Sequence, residues 1–424
     1  MKGNFHNEKM ETLGRKEIGE LQSRRLRAAI DHVYNSNPIY RKLFDEKGVR
    51  PDEIRGIEDV SRLPMTGKDL LRKSYPMGLS CVPRRQVVEM HMSSGSTGTP
   101  VIMPYTAADL AQWAECMARC YRMAGGLPGD GVQITPLFGL FNGGFGMYHG
   151  ARAAGLFVIP AGPGNTQRQV RLARDLKTRI LTGVVSYGVR IIEVMEEMGE
   201  SLPDLEIGIF GAEAFSESMK KRISEGLGIE VFDIYGMTET GGVGTLGQDC
   251  PAHDGLHVWE DQYLLEVVDP ITGEAVADGE TGELVVTALT REALPVIRFR
   301  TADLTRVISR ERCECGRTHL RIAPITGRID DMIIVKGVNF FPKHVEQTLM
   351  GIKGVGSNYQ IIVEEVDGVK DVRVNVEAEP GVTGFMVEKA LKEALGFSPR
   401  GDVYPIGGLP RTEGKAQRVF YRKG

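Results

Sequence analysis

Residues 91–100 read HMSSGSTGTP. Hydroxyl side chains set among glycines make a concavity whose N–H and O–H groups suit phosphate, and glycine lets the main chain approach closely. A P-loop would need G-x-x-x-x-G-K-[ST], but Gly98 is followed by Thr99 and Pro100, so this loop is of another kind. Three cysteines point to a second site. CPAHDGLH (250–257) and CECGRTH (313–319) supply Cys250, Cys313 and Cys315, which with His253, His257 or His319 make a Cys₃His set suited to structural zinc. GRIDDMIIVKG (327–337) sets Arg328, Asp330 and Asp331 just before an apolar run, the pattern of a charged hinge with an arginine able to meet a ligand. LPRTEGKAQRV (409–419) places Lys415 in a loop behind a glycine. Gly242, Gly244 and Gly247 fit G-x-G-x-x-G, yet QDCPAHDG follows them, which cannot be the helix that a dinucleotide fingerprint opens.

The elements that must position these residues change in texture along the chain. The first sixty residues read as helical, with Leu26, Ala29, Ile30 and Val33 at i, i+3, i+4 and i+7, and Asn37 before Pro38 ends that run. From about 85 to 240, buried-strand runs (GVQITPLFG, GLFVIPAG, RILTGVVSY, LEIGIFGAE, VFDIYG) alternate with helical stretches such as 167–177 and 217–225. That alternation predicts a layered α/β domain with a largely parallel sheet, whose ligands gather beyond the carboxyl ends of the strands. Residues 258–325 read as a small antiparallel module of strands and tight turns. The tail has two strands about Asp367–Gly368, with Val372, Val374 and Val376 alternating, and then the helical MVEKALKEAL. The expected architecture is a large α/β body over 1–328, with a helical arm over 1–60, and a small mobile α+β domain over 329–424.

Length and composition agree with two or three globular domains: 424 residues, 42% hydrophobic and 25% charged. Lysine and arginine total 52 against 56 acidic residues, a net charge of −4, which gives no electrostatic ground for nucleic acid or an anionic membrane as partner. No apolar run approaches the roughly 18 residues of a membrane span. The N-terminal stretch is polar, without the apolar segment of a signal peptide, so the protein is expected to be cytoplasmic. Six cysteines are too few for a disulfide scaffold, and Cys116 and Cys120, one helical turn apart, read as buried thiols.

Six segments, SSGSTGTP, FGAEAF, DIYGMTET, RFRTADLT, GRIDDMIIVKG and LPRTEGKAQRV, resemble in order and spacing the signatures of the adenylate-forming acyl-CoA ligases, above all the phenylacetate–CoA ligase branch. The resemblance covers almost the entire chain. It implies an enzyme that couples an aryl carboxylic acid to AMP at the expense of MgATP and then passes the acyl group to coenzyme A. By that resemblance Ser93, Ser94, Gly95, Ser96, Thr97 and Gly98 wrap the ATP phosphates. Gly211, Ala212, Glu213 and Ala214, with Asp233, Ile234, Tyr235, Gly236 and Met237, frame the adenine, Tyr235 stacking on it. Glu239 holds Mg²⁺, Thr238 donates to the α-phosphate, Asp303 binds the ribose and Arg328 contacts ribose or phosphate. Asp330 is the hinge that brings Lys415 into the site for adenylation, while Lys336 and Gly337 lie toward coenzyme A. Phe141, Phe145, Tyr148 and Tyr187 are expected at the acyl pocket. His257 is the preferred fourth zinc ligand, and a homodimer is implied. Two departures stand out: Thr99 replaces a common lysine, and VVSY (184–187) replaces TPSY. Some relatives adenylate a deazaflavin cofactor without CoA transfer, a second acceptor chemistry that the resemblance leaves open.

Overall fold

The helix Arg15–Ser36 buries Leu26, Ala29, Ile30 and Val33 along one face, as their spacing requires. It stops before Pro38. Asn37 then caps the next helix, Pro38–Lys47, its side-chain oxygen accepting from the Ile39 and Tyr40 amides at 3.0 and 3.3 Å. The structure, a computed structural model, describes residues 4–93, 99–213, 215–335, 338–366, 369–410 and 417–423. Among these no helix is long and apolar enough to cross a membrane.

The strand–helix alternation builds the α/β sheet expected of it. Five neighbouring strands run parallel, in the order Glu230–Met237, Ile207–Gly211, Ile180–Val184, Gly131–Ile134 and Phe157–Ile159. Successive residues of one strand feed two different apolar clusters. Ile209 joins the cluster that contains the helix Ala107–Met123, whereas Phe210 joins the one formed with the helices Val185–Met198 and Glu217–Leu227. Cys116 and Cys120 are buried in the first cluster.

The segment 258–325, expected as one strand-rich module, divides in two. Val307–Ser309 and Arg321–Ile322 join Leu256–Val258 and Gly242–Asp249 as antiparallel additions to the parallel strands, completing a nine-stranded sheet. Tyr263–Val268, Gly282–Ala288, Phe299–Thr305 and Gly327–Arg328 form a separate four-stranded antiparallel sheet. The division follows from the open edge of Leu256–Val258, whose backbone groups need partners and find them in Arg321 and Ile322. The rejected glycine triplet lies in the strand Gly242–Asp249. A Cβ at Gly244, where φ is +71°, would stand 2.2 Å from Met117 Sδ, so glycine here serves close packing against the Ala107–Met123 helix.

The last hundred residues fold about a third apolar cluster. Val355–Val366 and Val369–Ala378 pair antiparallel, flanked in parallel by Val419–Lys423 and Arg400–Pro405. Val372, Val374 and Val376 are buried beneath the helix Gly384–Leu395, while Asp367 and Gly368 lie outside the described residues.

Candidate active site

A hairpin of Glu89–Met92 and Ile102–Tyr105 carries the serine-rich loop. Its neck is closed twice by Ser93. The Ser93 amide donates to Val101 O and the Val101 amide donates to Ser93 Oγ, both at 2.9 Å. The Met92 amide donates to Leu140 O at 2.8 Å, which ties the hairpin to the segment before the helix Asn142–Ala153.

The strand Ile207–Gly211 ends in a residue with left-handed backbone, Ala212 at φ +66°, and this turn aims Glu213 back at the helix Val185–Met198. The Glu213 carboxylate accepts from the Ser186 amide at 2.7 Å and from Ser186 Oγ at 3.0 Å. A carboxylate at the first turn of a helix is favoured by the unpaired amides there. Next to it, Glu230–Met237 brings Asp233, Ile234, Tyr235, Gly236 and Met237 to the carboxyl edge of the sheet, followed by a short 3₁₀ turn, Thr238–Thr240.

These elements converge on one network centred on the buried Asp303. Tyr235 donates through its hydroxyl to Asp303 Oδ2 at 2.6 Å, and Arg328 Nη1 donates to Asp303 Oδ1 at 2.6 Å. Arg328 also grips Asp330 with two bonds, at 2.9 and 3.0 Å. Burial raises the Asp303 carboxyl above its ordinary range, and the Arg328 charge opposes that rise. Thr238 Oγ1 accepts from Asn142 Nδ2 at 2.8 Å. Glu239 is buried, with Lys68 Nζ 3.3 Å from its Oε1. Lys68 is brought there by Thr66, which pairs along the strand Phe299–Thr305 through the Arg298 carbonyl and the Arg300 amide.

Of the aromatic residues, the structure brings Phe145 and Tyr148 together around Phe138, with ring centroids 5.5 and 6.4 Å from it. Phe141 stands apart, 41% exposed at the start of its helix. Tyr187 packs against the other apolar cluster and donates to Thr166 Oγ1 at 3.4 Å. Sequence reasoning missed Lys68, Asn142, Ser186 and a half-buried trio beside the aromatic group. In that trio Glu89 Oε1 accepts from His91 Nε2 at 2.8 Å and from His149 Nε2 at 3.2 Å. Burial works against the Glu89 charge, but the two histidine bonds prevail and hold its pKa at about 2.

Cys250, His257, Cys313 and Cys315 lie together, all four buried, with ligand atoms within 4.8 Å of one another. His257 Nδ1 faces the His319 carbonyl at 3.2 Å, which leaves Nε2 directed at Cys315 Sγ, 3.3 Å away. The Cys250 thiol and His257 together hold the Cys315 thiol well below its ordinary pKa. His253 instead bonds Asp249 at 2.8 Å, and His319 bonds the Met10 carbonyl at 3.0 Å. Ser94, Gly95, Ser96, Thr97, Gly98, Ala214, Lys336, Gly337 and Lys415 lie outside the described residues.

Residues 33–289 match the AMP-binding enzyme family, and residues 337–423 match the AMP-binding enzyme C-terminal domain. A phenylacetate-coenzyme A ligase of Thermus thermophilus is 39% identical, over 98% of this chain and 99% of its own length. One from Escherichia coli K12 is 38% identical, over 97% of this chain and 96% of its own. The crystal structure of 2-hydroxyisobutyryl-CoA ligase in the postadenylation state superposes with a TM-score of 0.91 at 27% identity, covering 98% of this chain and 91% of that one. The same ligase in the thioesterification state, with its adenylate and CoA, gives 0.73 at 27% identity over 98% and 92%.

Proposed function

The chain belongs to the AMP-binding enzyme family, within its phenylacetate–coenzyme A ligase branch, and on that premise we propose that its acid is phenylacetate. Such a ligase works in two steps. A carboxylate oxygen attacks the α-phosphorus of ATP, the bond to the bridging oxygen breaks and pyrophosphate leaves. The sulfur of coenzyme A then adds to the acyl carbonyl and AMP departs with the electron pair. Both steps gather negative charge, so preformed donors and cations at the site lower the barrier.

In this reading Asp303 takes the ribose hydroxyls, oriented by Tyr235 and Arg328, and the Gly211–Glu213 turn and the Tyr235 strand frame the adenine. Thr238, aimed by Asn142, donates to the α-phosphate, and the hairpin offers its serine-rich loop to the other phosphates. Glu239 would hold Mg²⁺. It is a buried carboxylate at the carboxyl edge of the sheet, with the Lys68 ammonium 3.3 Å from Oε1, and a hard cation suits a carboxylate oxygen. Bound there, Mg²⁺ would screen the phosphate charge. Lys68 supplies a fixed cation on the same carboxylate. Phe138, Phe145 and Tyr148 flank the aryl ring, and Lys336 and Gly337 border the coenzyme A path. Cys250, His257, Cys313 and Cys315 would hold zinc in a structural role, cross-linking two loops at the sheet edge.

We assign residues 1–328 to a large body and 329–424 to a lid that turns at Asp330, carrying Lys415 to the reacting phosphate for the first step. The closer likeness to the postadenylation than to the thioesterification state supports this reading. The branch to which the chain belongs favours a cytoplasmic location and a homodimer. The relatives above give no support to an acceptor other than coenzyme A.

The observation that carries the assignment is the Tyr235–Asp303–Arg328–Asp330 network, which joins a nucleotide-facing strand to the hinge residue of the lid. The test is acid-dependent pyrophosphate release from MgATP, with and without CoA, over a panel of aryl and aliphatic acids. Phenylacetate is expected to drive release and CoA to accelerate turnover. Activity with another acid alone would remove phenylacetate and keep the reaction. No activity with any acid would remove both.

A further inference from the structure

Lys415 is bracketed in sequence by two segments that the fold fastens to one side chain. Asn358, on the strand Val355–Val366, donates from Nδ2 to the Leu409 and Pro410 carbonyls, each at 3.4 Å. From Oδ1 it accepts the Arg418 guanidinium at 2.8 Å. One amide group thus ties the chain before Lys415 to the chain after it. Both sides are braced further. The Leu409 amide donates to Glu377 Oε1 at 2.8 Å, and Glu377 also accepts from Asn358 at 3.2 Å. Arg418 donates to the Tyr359 and Ser357 carbonyls at 3.3 and 3.2 Å, and its guanidinium carbon lies 4.5 Å from the centroid of the Tyr359 ring.

The same assembly reaches toward the nucleotide side. Tyr359 donates through its hydroxyl to Glu346 Oε2 at 3.0 Å, and Glu346 lies buried on the helix Pro342–Met350. That helix packs against Glu217–Leu227, with Met350 set into the cluster that contains Phe210 and Phe215. Burial pushes the Glu346 carboxyl up, and the Glu213 carboxylate adds to the rise. Bonded groups from Asn358 to Glu346, and then the packing of Pro342–Met350 on Glu217–Leu227, link the element behind the adenine turn to the chain on both sides of Lys415.

We propose that Asn358, braced by Arg418, Tyr359 and Glu346, is a positioning residue for acyl-adenylate formation: it sets the spacing of the two segments that carry Lys415 and registers them against the adenine turn. The proposal rests on the two-step reading above, in which Lys415 serves only the first step. A lysine that must stand close to a phosphate is sensitive to small displacements of the segments that flank it, here Leu409–Pro410 and Arg418.

The test separates the half-reactions: pyrophosphate release from phenylacetate and MgATP, and thioester formation from preformed phenylacetyl-adenylate and CoA. Asn358→Ala is expected to lower the kcat of the first about tenfold or more with little change in KM for ATP, and to leave the second within about twofold. Asn358→Asp, close in shape, keeps the acceptor for Arg418 and loses the donor to the carbonyls, and should fall between Ala and wild type. Equal loss of both half-reactions in the Asp variant, or no loss in either, overturns the proposal. Lys415→Ala is the reference. If it too loses both half-reactions equally, the lid reading itself falls; if it is selective and the Asn358 variants are not, only the positioning role falls.

Discussion

Asp233 carries a carboxyl that burial pushes up to about 7, with the Asp249 carboxylate adding to the rise. Unfolded, the group titrates near the ordinary aspartate value of about 4, so folding takes up a proton between about pH 4 and pH 7. The stability tied to that proton is full below about pH 4 and is lost as pH rises through about 7. Asp233→Asn should therefore match wild type in Tm near pH 4 and exceed it increasingly up to pH 8, in thermal unfolding across that range. A difference that does not change with pH would sink the assignment. Residue types with a narrow chemical repertoire were legible without coordinates. Cysteine is rare enough that Cys250, Cys313 and Cys315 stood out across a gap of sixty-three residues. The histidine was harder, because His253, His257 and His319 are alike in sequence and differ only in which ring nitrogen meets a sulfur. Lys68 and Glu89 left no signal at all. A lysine in TGKDL reads as a solvated charge, and a glutamate beginning a strand gives no hint that two histidines will share its oxygen.

At the scale of elements, the cysteine cluster joins the loop after Gly242–Asp249 to the loop between Val307–Ser309 and Arg321–Ile322. Those last two strands are three and two residues long, too short to hold an edge by backbone pairing alone. If zinc bridges the loops, protein purified without chelator should contain about one zinc per chain by elemental analysis. Cys315→Ser should lose that metal and lower Tm by about 5 °C or more. A metal-free wild type, or an unchanged Tm in the variant, would rule out a structural zinc. Strand–helix alternation was legible because its signal is local: an apolar run, a glycine, then helical spacing. The split of 258–325 was not, because the pairing of Arg321 with His257 is a long-range choice made by the sheet edge. The wall expected of Phe141, Phe145, Tyr148 and Tyr187 was half legible for the same reason. Phe145 and Tyr148 share a helix, whereas Tyr187 sits across the sheet with the second apolar cluster.

For the whole molecule, the two-step reading requires that the arrangement seen here be one of two. X-ray scattering in solution should match it with a non-hydrolysable phenylacetyl-adenylate analogue bound, and should shift when CoA is added. An unchanged profile would count against a turning lid. The large body has a different dependence on its far end. Arg317, two residues beyond Cys315, is buried in an ion pair with Glu11 and donates to the Asn4 carbonyl at 2.7 Å, while the Thr318 amide donates to Glu11 O at 3.2 Å. These partners are separated by 306 residues of chain. During synthesis Glu11 leaves the ribosome long before Arg317 exists, at about 5–20 residues per second a wait of some tens of seconds. Until then its carboxylate has no guanidinium to meet, and the helical arm is held by its apolar face and by partners made earlier, Glu115 for Asn7 and Glu260 for Arg15. The earliest part of the body to be made thus gains one of its ties only near the end of the body's synthesis, and the cysteine loop is that clasp.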